Sequence, residues 1–199
     1  MVQVGTTVNG VCLDDPRFRP LYERLAQYGM VLMLHPLIEN RDPQTRRYHL
    51  SNLVGNPYQT TAAAGNLLFS GVLDRVPQLQ VLLVHGGGFL LYQLGRMDHG
   101  FRMRPAAEHP CQQTPRAYLR RNFLFDGLTH DPQALGFLVA LAGPDRVLFG
   151  TDYPYDMADE AQGRHFQSLN LGVAALGAFA HGNAQRLFSL EQVHTGLDK

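Results

Sequence analysis

Short runs of apolar residues alternate along this chain with segments of helical periodicity. The apolar runs predict five strands, at residues 2–8, 30–35, 80–85, 122–126 and 146–150. Four of the five are nearly continuous in apolar residues and do not alternate with polar ones. Continuous runs of this kind are typical of a parallel sheet that is covered on both faces.

The segments between the runs carry the start and stop signals of helices. Asp15 is suited to an N-cap, Pro16 to the first helical position, and Gly29 to the end of that helix. The same order of residues recurs at 131–132, with a stop at 143–144. Further helices are predicted at residues 60–76, 88–103, 160–169 and 182–190.

Alternating strands and helices predict an α/β fold with right-handed crossovers. Both an open doubly wound sheet and a (β/α)8 barrel have this alternation. The glycine motif Gly-x-Gly-x-x-Gly does not follow the first strand, which argues against a dinucleotide-binding open sheet. The missing motif counts only mildly, so both architectures stay open at this point.

Composition fits one folded domain, residues 1–199, because 45% of the residues are hydrophobic and 17% are charged. A formal net charge of zero argues against nucleic-acid and anionic-membrane partners, which select an excess of Lys and Arg. No apolar run has the length of a membrane span, and the amino terminus lacks a signal-peptide pattern. Cys12 and Cys111 are isolated, which favours free thiols and a cytoplasmic location.

Three polar residues follow the ends of three different predicted strands: His35, His85 and Asp152. Active sites of α/β proteins are built at this edge of the sheet. Two imidazoles and a carboxylate suit a divalent ion such as Zn²⁺, with water in an open position. Taken singly, each residue also has an ordinary structural interpretation, as a hydrogen-bonding histidine or as the cap of a helix. Their joint occurrence favours the metal site.

Three glycines follow His85, and they let the backbone turn sharply and approach a ligand. The helix that follows begins with free N–H groups, which could bind an anion, although no Lys-Ser or Lys-Thr pair supports a phosphate site, and a flexible turn without a ligand is the alternative. For Asp126 the sequence leaves two roles open, one in the site and one as a structural hydrogen-bonding residue. His99 is open between helix packing and support of the site, and His130 is the remaining histidine with a strand-end position.

Three segments carry a resemblance to a known family: LSNLVGNPYQTT, SGVLDRVPQLQVLLVHGGGFLLYQLGRMDHGFRMRP and DRVLFGTDYPYDM. Together they resemble the aminocarboxymuconate-semialdehyde decarboxylase group of the amidohydrolase superfamily, over nearly the whole chain. The resemblance implies a metal-dependent decarboxylase of a small unsaturated or aromatic carboxylic acid. It implies Zn²⁺, or alternatively Mn²⁺, as the ion.

The resemblance also implies roles for individual residues. His35 and Asp152 match metal ligands, and His85 matches the catalytic histidine that activates the water held by the metal. Arg96 matches an arginine that binds the substrate carboxylate, in some members across a dimer interface. Asn52 stands where decarboxylases of the muconate semialdehyde tend to carry tryptophan, so a different acid is expected.

The sequence departs from the family in lacking any His-x-His motif, which supplies two further metal ligands on the first barrel strand. Five predicted strands, against the eight of a barrel, indicate a partial (β/α)8 barrel comprising about the last five βα units, with the amino-terminal units missing. We therefore expect homo-oligomerisation and weak or no activity of this chain alone. A metal-dependent hydrolase or hydratase, and a non-catalytic remnant of the fold, remain as alternative functions.

Overall fold

The computed structural model describes residues 1–37, 43–159 and 161–190. Its centre is a five-stranded parallel sheet, in which the strands lie side by side in their order along the chain. The strands of this sheet are β1 (Val2–Val4), β4 (Val31–Leu34), β5 (Gln80–Leu83), β6 (Phe123–Asp126) and β7 (Val147–Leu148). A separate antiparallel hairpin consists of β2 (Thr7–Val8) and β3 (Val11–Cys12). The predicted α/β class with a parallel sheet is confirmed.

Nine α-helices are found in the described ranges: α1 (Arg19–Gln27), α2 (Asn56–Phe69), α3 (Val72–Arg75), α4 (Leu90–Met103), α5 (Pro115–Asn122), α6 (Pro132–Ala142), α7 (Gln162–Ser168), α8 (Val173–Gly177) and α9 (Asn183–Phe188). Two π-helical segments precede α2 and α9, at Ser51–Gly55 and Ala178–Gly182. None of the helices in the described part of the chain has the length and apolar character needed to cross a membrane.

Two predicted caps are formed as expected. The Asp15 carboxylate accepts a hydrogen bond from the amide of Arg17, at the start of a short 3-10 turn that leads into α1. The Asp131 carboxylate accepts from the amides of Gln133 and Ala134 at the start of α6. Capping is decided by neighbours in sequence, and for this reason it could be predicted without tertiary information.

Two predicted elements have different bounds in the structure. The strand predicted at residues 2–8 ends at Val4, and the chain then enters the hairpin, whose turn residues Asn9 and Gly10 have φ angles of 50° and 75°. Asn-Gly favours such two-residue turns because both positions require positive φ. The helix predicted at residues 60–76 is interrupted at Gly71, where φ is 74°, and becomes α2 and α3.

The helices and the sheet form one main core. Side chains from one face of the strands, among them Leu32, Val81 and Phe125, pack with buried leucines of α2, α4, α5 and α6. The opposite face carries a smaller cluster, packed against α9, of Val31, Leu82, Leu124 and Leu148. Burial on both faces explains why the strand sequences are continuously apolar.

Buried polar side chains join the amino ends of the strands. Nδ2 of Asn122 donates to the carbonyl oxygens of Pro77 and Leu79, at 3.1 and 2.8 Å. The Arg146 guanidinium donates to the carbonyl of Phe123 at 2.9 Å and to the side chain of Gln80 at 2.8 Å. These bonds satisfy backbone carbonyls that burial removes from water.

Replacing Asn122 by Ala is expected to reduce the free energy of unfolding by about 1–3 kcal/mol, because two buried carbonyls lose their donor. Urea unfolding would measure the change. Gln78→Ala, in the same loop but at an exposed position, is the control and should lie within about 0.5 kcal/mol of the wild type. Equal losses in the two variants would contradict the assignment.

Candidate metal centre and active site

The structure brings together the three residues that the sequence placed at strand ends. Leu34 at the end of β4 is paired with Leu83 at the end of β5, so the residues that follow them share one edge. The rings of His35 and His85 have centroids 5.4 Å apart and an interplanar angle of 63°. One donor atom from each of these rings and one from the Asp152 carboxylate all lie within 4.8 Å of one another. This spacing suits a shared divalent ion.

The His35 ring is oriented by its neighbour. Its Nδ1 lies 2.9 Å from the carbonyl oxygen of Pro36, and a carbonyl oxygen only accepts, so Nδ1 carries the proton. Nε2 of the neutral ring therefore keeps its lone pair. Ligating histidines in metalloproteins are commonly held in this way, with the second nitrogen donating to a carbonyl. His35 thus fits the role of a metal ligand.

His85 is held in its neutral form. Burial, and after it the nearby rings of His35 and His130, lower the pKa of His85 from 6.5 to about 4. Its Nδ1 is buried and has no hydrogen-bond partner among the described residues. A neutral imidazole with an unsatisfied nitrogen can bind a metal ion or accept a proton. The donor set therefore fits a divalent ion, and His85 fits either of these roles beside it.

Asp152 follows β7 in a segment without regular structure, and its φ of 61° lies in the left-handed region. Such a conformation is uncommon in a non-glycine residue, although aspartate adopts it more readily than most, and it recurs at functional sites and in turns. The alternative role of Asp152 as a helix cap is not formed. Ahead of the next helix, α7, it is Asp159 whose carboxylate accepts from the amide of Ala161, at 2.8 Å.

The turn after β5 does not offer free amides to an external anion. The amides of His85 and Gly86 donate to the Asp126 carboxylate at 3.0 and 2.7 Å, and the amide of Leu128 donates to it at 3.2 Å. The amide of Phe89 donates to the hydroxyl of Thr61 at 2.8 Å. The amides of Gly87 and Gly88 donate to the backbone carbonyl oxygens of Val84 and His85. The donors of the turn itself are therefore all used within the protein, while the anion site expected at the first N–H groups of the following helix stays a prediction.

Burial raises the pKa of the Asp126 carboxyl from 3.8 to about 6. The three amides act in the opposite direction because they stabilise the charged form, while the nearby Asp152 carboxylate adds to the increase. Of the two roles open from the sequence, the structure shows the hydrogen-bonding one.

Two of the glycines are required by close packing. A Cβ at Gly87 would lie 2.7 Å from ring atoms of Phe125, and a Cβ at Gly88 would overlap the carbonyl oxygen of Pro57. Both residues have positive φ, 79° and 61°. The glycines therefore permit the turn to pack against β6 and the start of α2.

A cavity of about 500 Å³ opens beside the site residues. A smaller one of about 250 Å³ lies on the face of the sheet that packs against α9. His85 and Asp152 line both, whereas His35 and Asp126 line the smaller one. The larger volume is typical of sites for small organic ligands. Its walls include Asn52, Leu53, Phe89, Tyr92, Leu128, Thr129, His130, Phe137, Leu138 and Met157.

Sequence reasoning missed the aromatic walls of the larger cavity. Phe89, Tyr92 and Phe137 are all exposed. Phe89 and Tyr92 stand at the start of α4, and Phe137 lies in the middle of α6. These helices follow β5 and β6, so their first turns lie at the edge where the strands end. The location of Phe89 and Tyr92 at this edge could therefore have been predicted from the sequence. His130, the histidine left open above, also lines the cavity, with a φ of 57°.

Arg96 and His99 do not line either cavity. Both are exposed on α4. Within one chain the structure thus provides no contact between Arg96 and the site, and its role in binding a substrate carboxylate stays a prediction.

The sequence of this chain is similar to those of known proteins. The sequence profile of a family described as Amidohydrolase matches residues 1–190. The chain belongs to this family. It is 39% identical over 174 residues to the 2-amino-3-carboxymuconate-6-semialdehyde decarboxylase of Dictyostelium discoideum, covering 84% of this chain and 47% of that one. With the gamma-resorcylate decarboxylase of Polaromonas sp. the identity is 30%, covering 95% of this chain and 63% of the relative.

Solved structures of this amidohydrolase family share the fold. The 5-carboxyvanillate decarboxylase of Sphingomonas paucimobilis superposes with a TM-score of 0.84 at 28% identity, covering 96% of this chain and 58% of that one. The dihydroxybenzoic acid decarboxylase of Polaromonas sp., solved with bound manganese and 2-nitroresorcinol, gives 0.75 at 26% identity, covering 90% and 56%. The five strands form part of a (β/α)8 barrel, as predicted, and the chain spans about half the length of the relatives it matches.

Gly88→Ala is expected to reduce the free energy of unfolding by at least about 2 kcal/mol. The alanine would have to adopt a positive φ, and its methyl group would overlap the carbonyl oxygen of Pro57. Gly95→Ala, in α4 with open space around the new methyl group, should instead stabilise by about 0.5–1 kcal/mol. Thermal unfolding of both variants measures the difference. A neutral Gly88→Ala would contradict the packing.

The lowered pKa of His85 predicts a pH dependence of stability in the metal-free protein. The unfolded chain binds this proton near pH 6.5 and the folded chain near pH 4. The contribution of His85 to stability is thus complete above pH 6.5 and is lost as the pH falls through 4. Between pH 7 and 4, the wild type should lose roughly 3 kcal/mol more than His85→Asn does. Parallel stability curves in urea would contradict the assignment.

Proposed function

We propose that this chain carries the active site of a metal-dependent decarboxylase, a carboxy-lyase acting on a small aromatic or unsaturated carboxylic acid. The observation that carries the proposal is the meeting of His35, His85 and Asp152, two of which, His85 and Asp152, line a cavity of about 500 Å³. Support comes from the relatives, which are named as decarboxylases of the carboxymuconate semialdehyde and of gamma-resorcylate.

His35 and Asp152 are the proposed metal ligands. The first offers Nε2 of a ring already oriented by the Pro36 carbonyl, and the second offers a carboxylate oxygen. A nitrogen and oxygen donor set suits Zn²⁺, and Mn²⁺ is the alternative because a manganese ion is bound in the Polaromonas relative. When bound, such an ion polarises an oxygen of the substrate as a Lewis acid.

His85 is proposed to move the proton. Decarboxylation breaks the bond between carbon and the carboxyl group, and a proton takes the place of the lost CO₂ on that carbon. The reaction therefore needs a group that exchanges a proton within the cavity. His85 is neutral near pH 7, lines the cavity, and has a nitrogen with no partner among the described residues.

The cavity walls support a flat, partly apolar substrate. The rings of Phe89, Tyr92 and Phe137 are exposed to it, while the polar groups of His85 and Asp152 stand at the metal side. A planar conjugated acid places its apolar ring against the aromatic walls and its polar substituents toward the metal ligands. Asn52, a small polar residue on the π-helical segment, completes the wall and leaves room for a ring substituent.

Arg96 is proposed to act between copies of the chain. Its position on the exposed side of α4 leaves its guanidinium free to approach a cavity of a second copy, where it would bind a substrate carboxylate as a bidentate donor. A homo-oligomer is therefore part of the proposal. The weak activity expected from the sequence for this chain alone also stays a prediction.

Release of CO₂ from 2,6-dihydroxybenzoate, 5-carboxyvanillate and 2-amino-3-carboxymuconate semialdehyde tests the proposal in the presence of Zn²⁺ or Mn²⁺. His35→Ala and Asp152→Asn are expected to weaken metal binding at least about 100-fold and to abolish CO₂ release, because each removes a ligand. His181→Ala, at an exposed position that lines neither cavity, should retain both properties.

Two results would count against the proposal. Unchanged metal affinity in His35→Ala and Asp152→Asn would contradict the metal centre and favour a non-catalytic protein. Hydrolysis of amides or lactones without any CO₂ release would favour the hydrolase alternative.

A further inference from the structure

The Asp126 side chain connects the ends of two neighbouring strands at the metal centre. One carboxylate oxygen, Oδ2, accepts from the amide of His85 at 3.0 Å. The other, Oδ1, accepts from the amides of Gly86 at 2.7 Å and Leu128 at 3.2 Å. Both oxygens are therefore engaged by the backbone, and neither belongs to the group of donors that could hold a metal ion in the described part of the chain.

The turn held by Asp126 has an unusual backbone. His85, Gly86, Gly87 and Gly88 all have positive φ, at 57°, 60°, 79° and 61°. Glycine adopts such angles freely, whereas a histidine does so at a cost in free energy. Successive amides in a turn of this kind point to one side and form a concave site for an anion. Asp126 supplies that anion from within the chain, so its carboxylate offsets the cost at His85.

The ring of His85 depends on this backbone for its direction. Its Nδ1 has no hydrogen-bond partner among the described residues, unlike that of His35, which is held by a carbonyl. The backbone of His85 sets its Cα–Cβ direction, and this decides from which side of the turn the imidazole projects. With that φ in the left-handed region, the ring lies beside His35 in the metal centre.

We propose that Asp126 is a positioning residue, which holds the turn after β5 in the one conformation that directs the His85 imidazole into the metal centre. It acts through the backbone amides of His85 and Gly86 and does not itself bind the metal. The role of the centre in decarboxylation rests on the proposed function above, but the orientation of the His85 ring can be measured without it.

Asp126→Asn is the sharpest test because it hardly changes the volume of the side chain. A carboxamide has one acceptor oxygen, and its NH₂ group would face one of the amides that now donate to the carboxylate. One bond is lost and two donors are brought together, so the turn is expected to leave its left-handed conformation. Asn122→Ala is the matched control, since it removes buried hydrogen bonds to the backbone at the opposite end of the same strand.

Two properties are measured at a temperature where both variants are folded. Zn²⁺ affinity, determined by competition with a chelating dye, is expected to fall at least about 10-fold in Asp126→Asn and to stay within about twofold in Asn122→Ala. In the metal-free protein, the ¹H–¹⁵N spectrum of the His85 ring should shift or broaden in Asp126→Asn alone. Asp126→Glu, which keeps the charge, should recover part of the affinity.

A purely structural role would produce equal losses of Zn²⁺ affinity in Asp126→Asn and Asn122→Ala, and that result would overturn the proposal. So would an unchanged His85 ring signal in Asp126→Asn. If the wild type binds no Zn²⁺, the proposed function fails, while the ring signal still decides the role of Asp126. If Asp126→Asn does not fold, hydrogen exchange in the wild type decides: fast exchange at the amides of His85 and Gly86 would contradict the proposal.

Discussion

Parallel backbone pairing of β4, β5, β6 and β7 is the constraint on which the rest of the structure depends. Parallel strands all end at the same edge, and the register pairs Leu34 with Leu83 and Asp126 with Leu148. Side chains that are far apart in sequence, such as His35 and Asp152, are neighbours only because of this pairing. Each donor of the candidate metal centre follows the end of its own strand, so the pairing of the strands brings the three donors to one edge of the sheet.

The two edges of the sheet are built differently. At the amino edge, the buried side chains of Asn122, Arg146 and Asn183 donate hydrogen bonds to backbone carbonyls. At the carboxyl edge, His85, His130 and Asp152 all have φ angles near 60°, and both cavities open there. This is the division of a (β/α)8 barrel, in which one end supports stability and the other carries the active site. Strained residues persist at the active edge because the sheet beneath them is well packed.

The glycines after His85 are best understood through what packs around them. They let the turn approach Phe125 and Pro57, and they let its amides converge on Asp126. The same turn supplies one wall of the cavity, through Gly86 and Gly88. A short motif thus joins packing, the placement of His85 and the shape of the ligand site. For this reason a change at one glycine is expected to affect stability and the site together.

The sequence by itself determined the strands, most helices and the strand-end positions of His35, His85 and Asp152, because apolar periodicity and helix caps such as Asp131 depend on neighbours along the chain. Only the tertiary structure decided which groups satisfy the amides after His85. Their acceptor, Asp126, lies on the next strand. A hydrogen bond between residues this far apart in sequence cannot be predicted from the residues next to either of them. The break at Gly71 and the exposure of Arg96 were likewise decided by packing between distant segments.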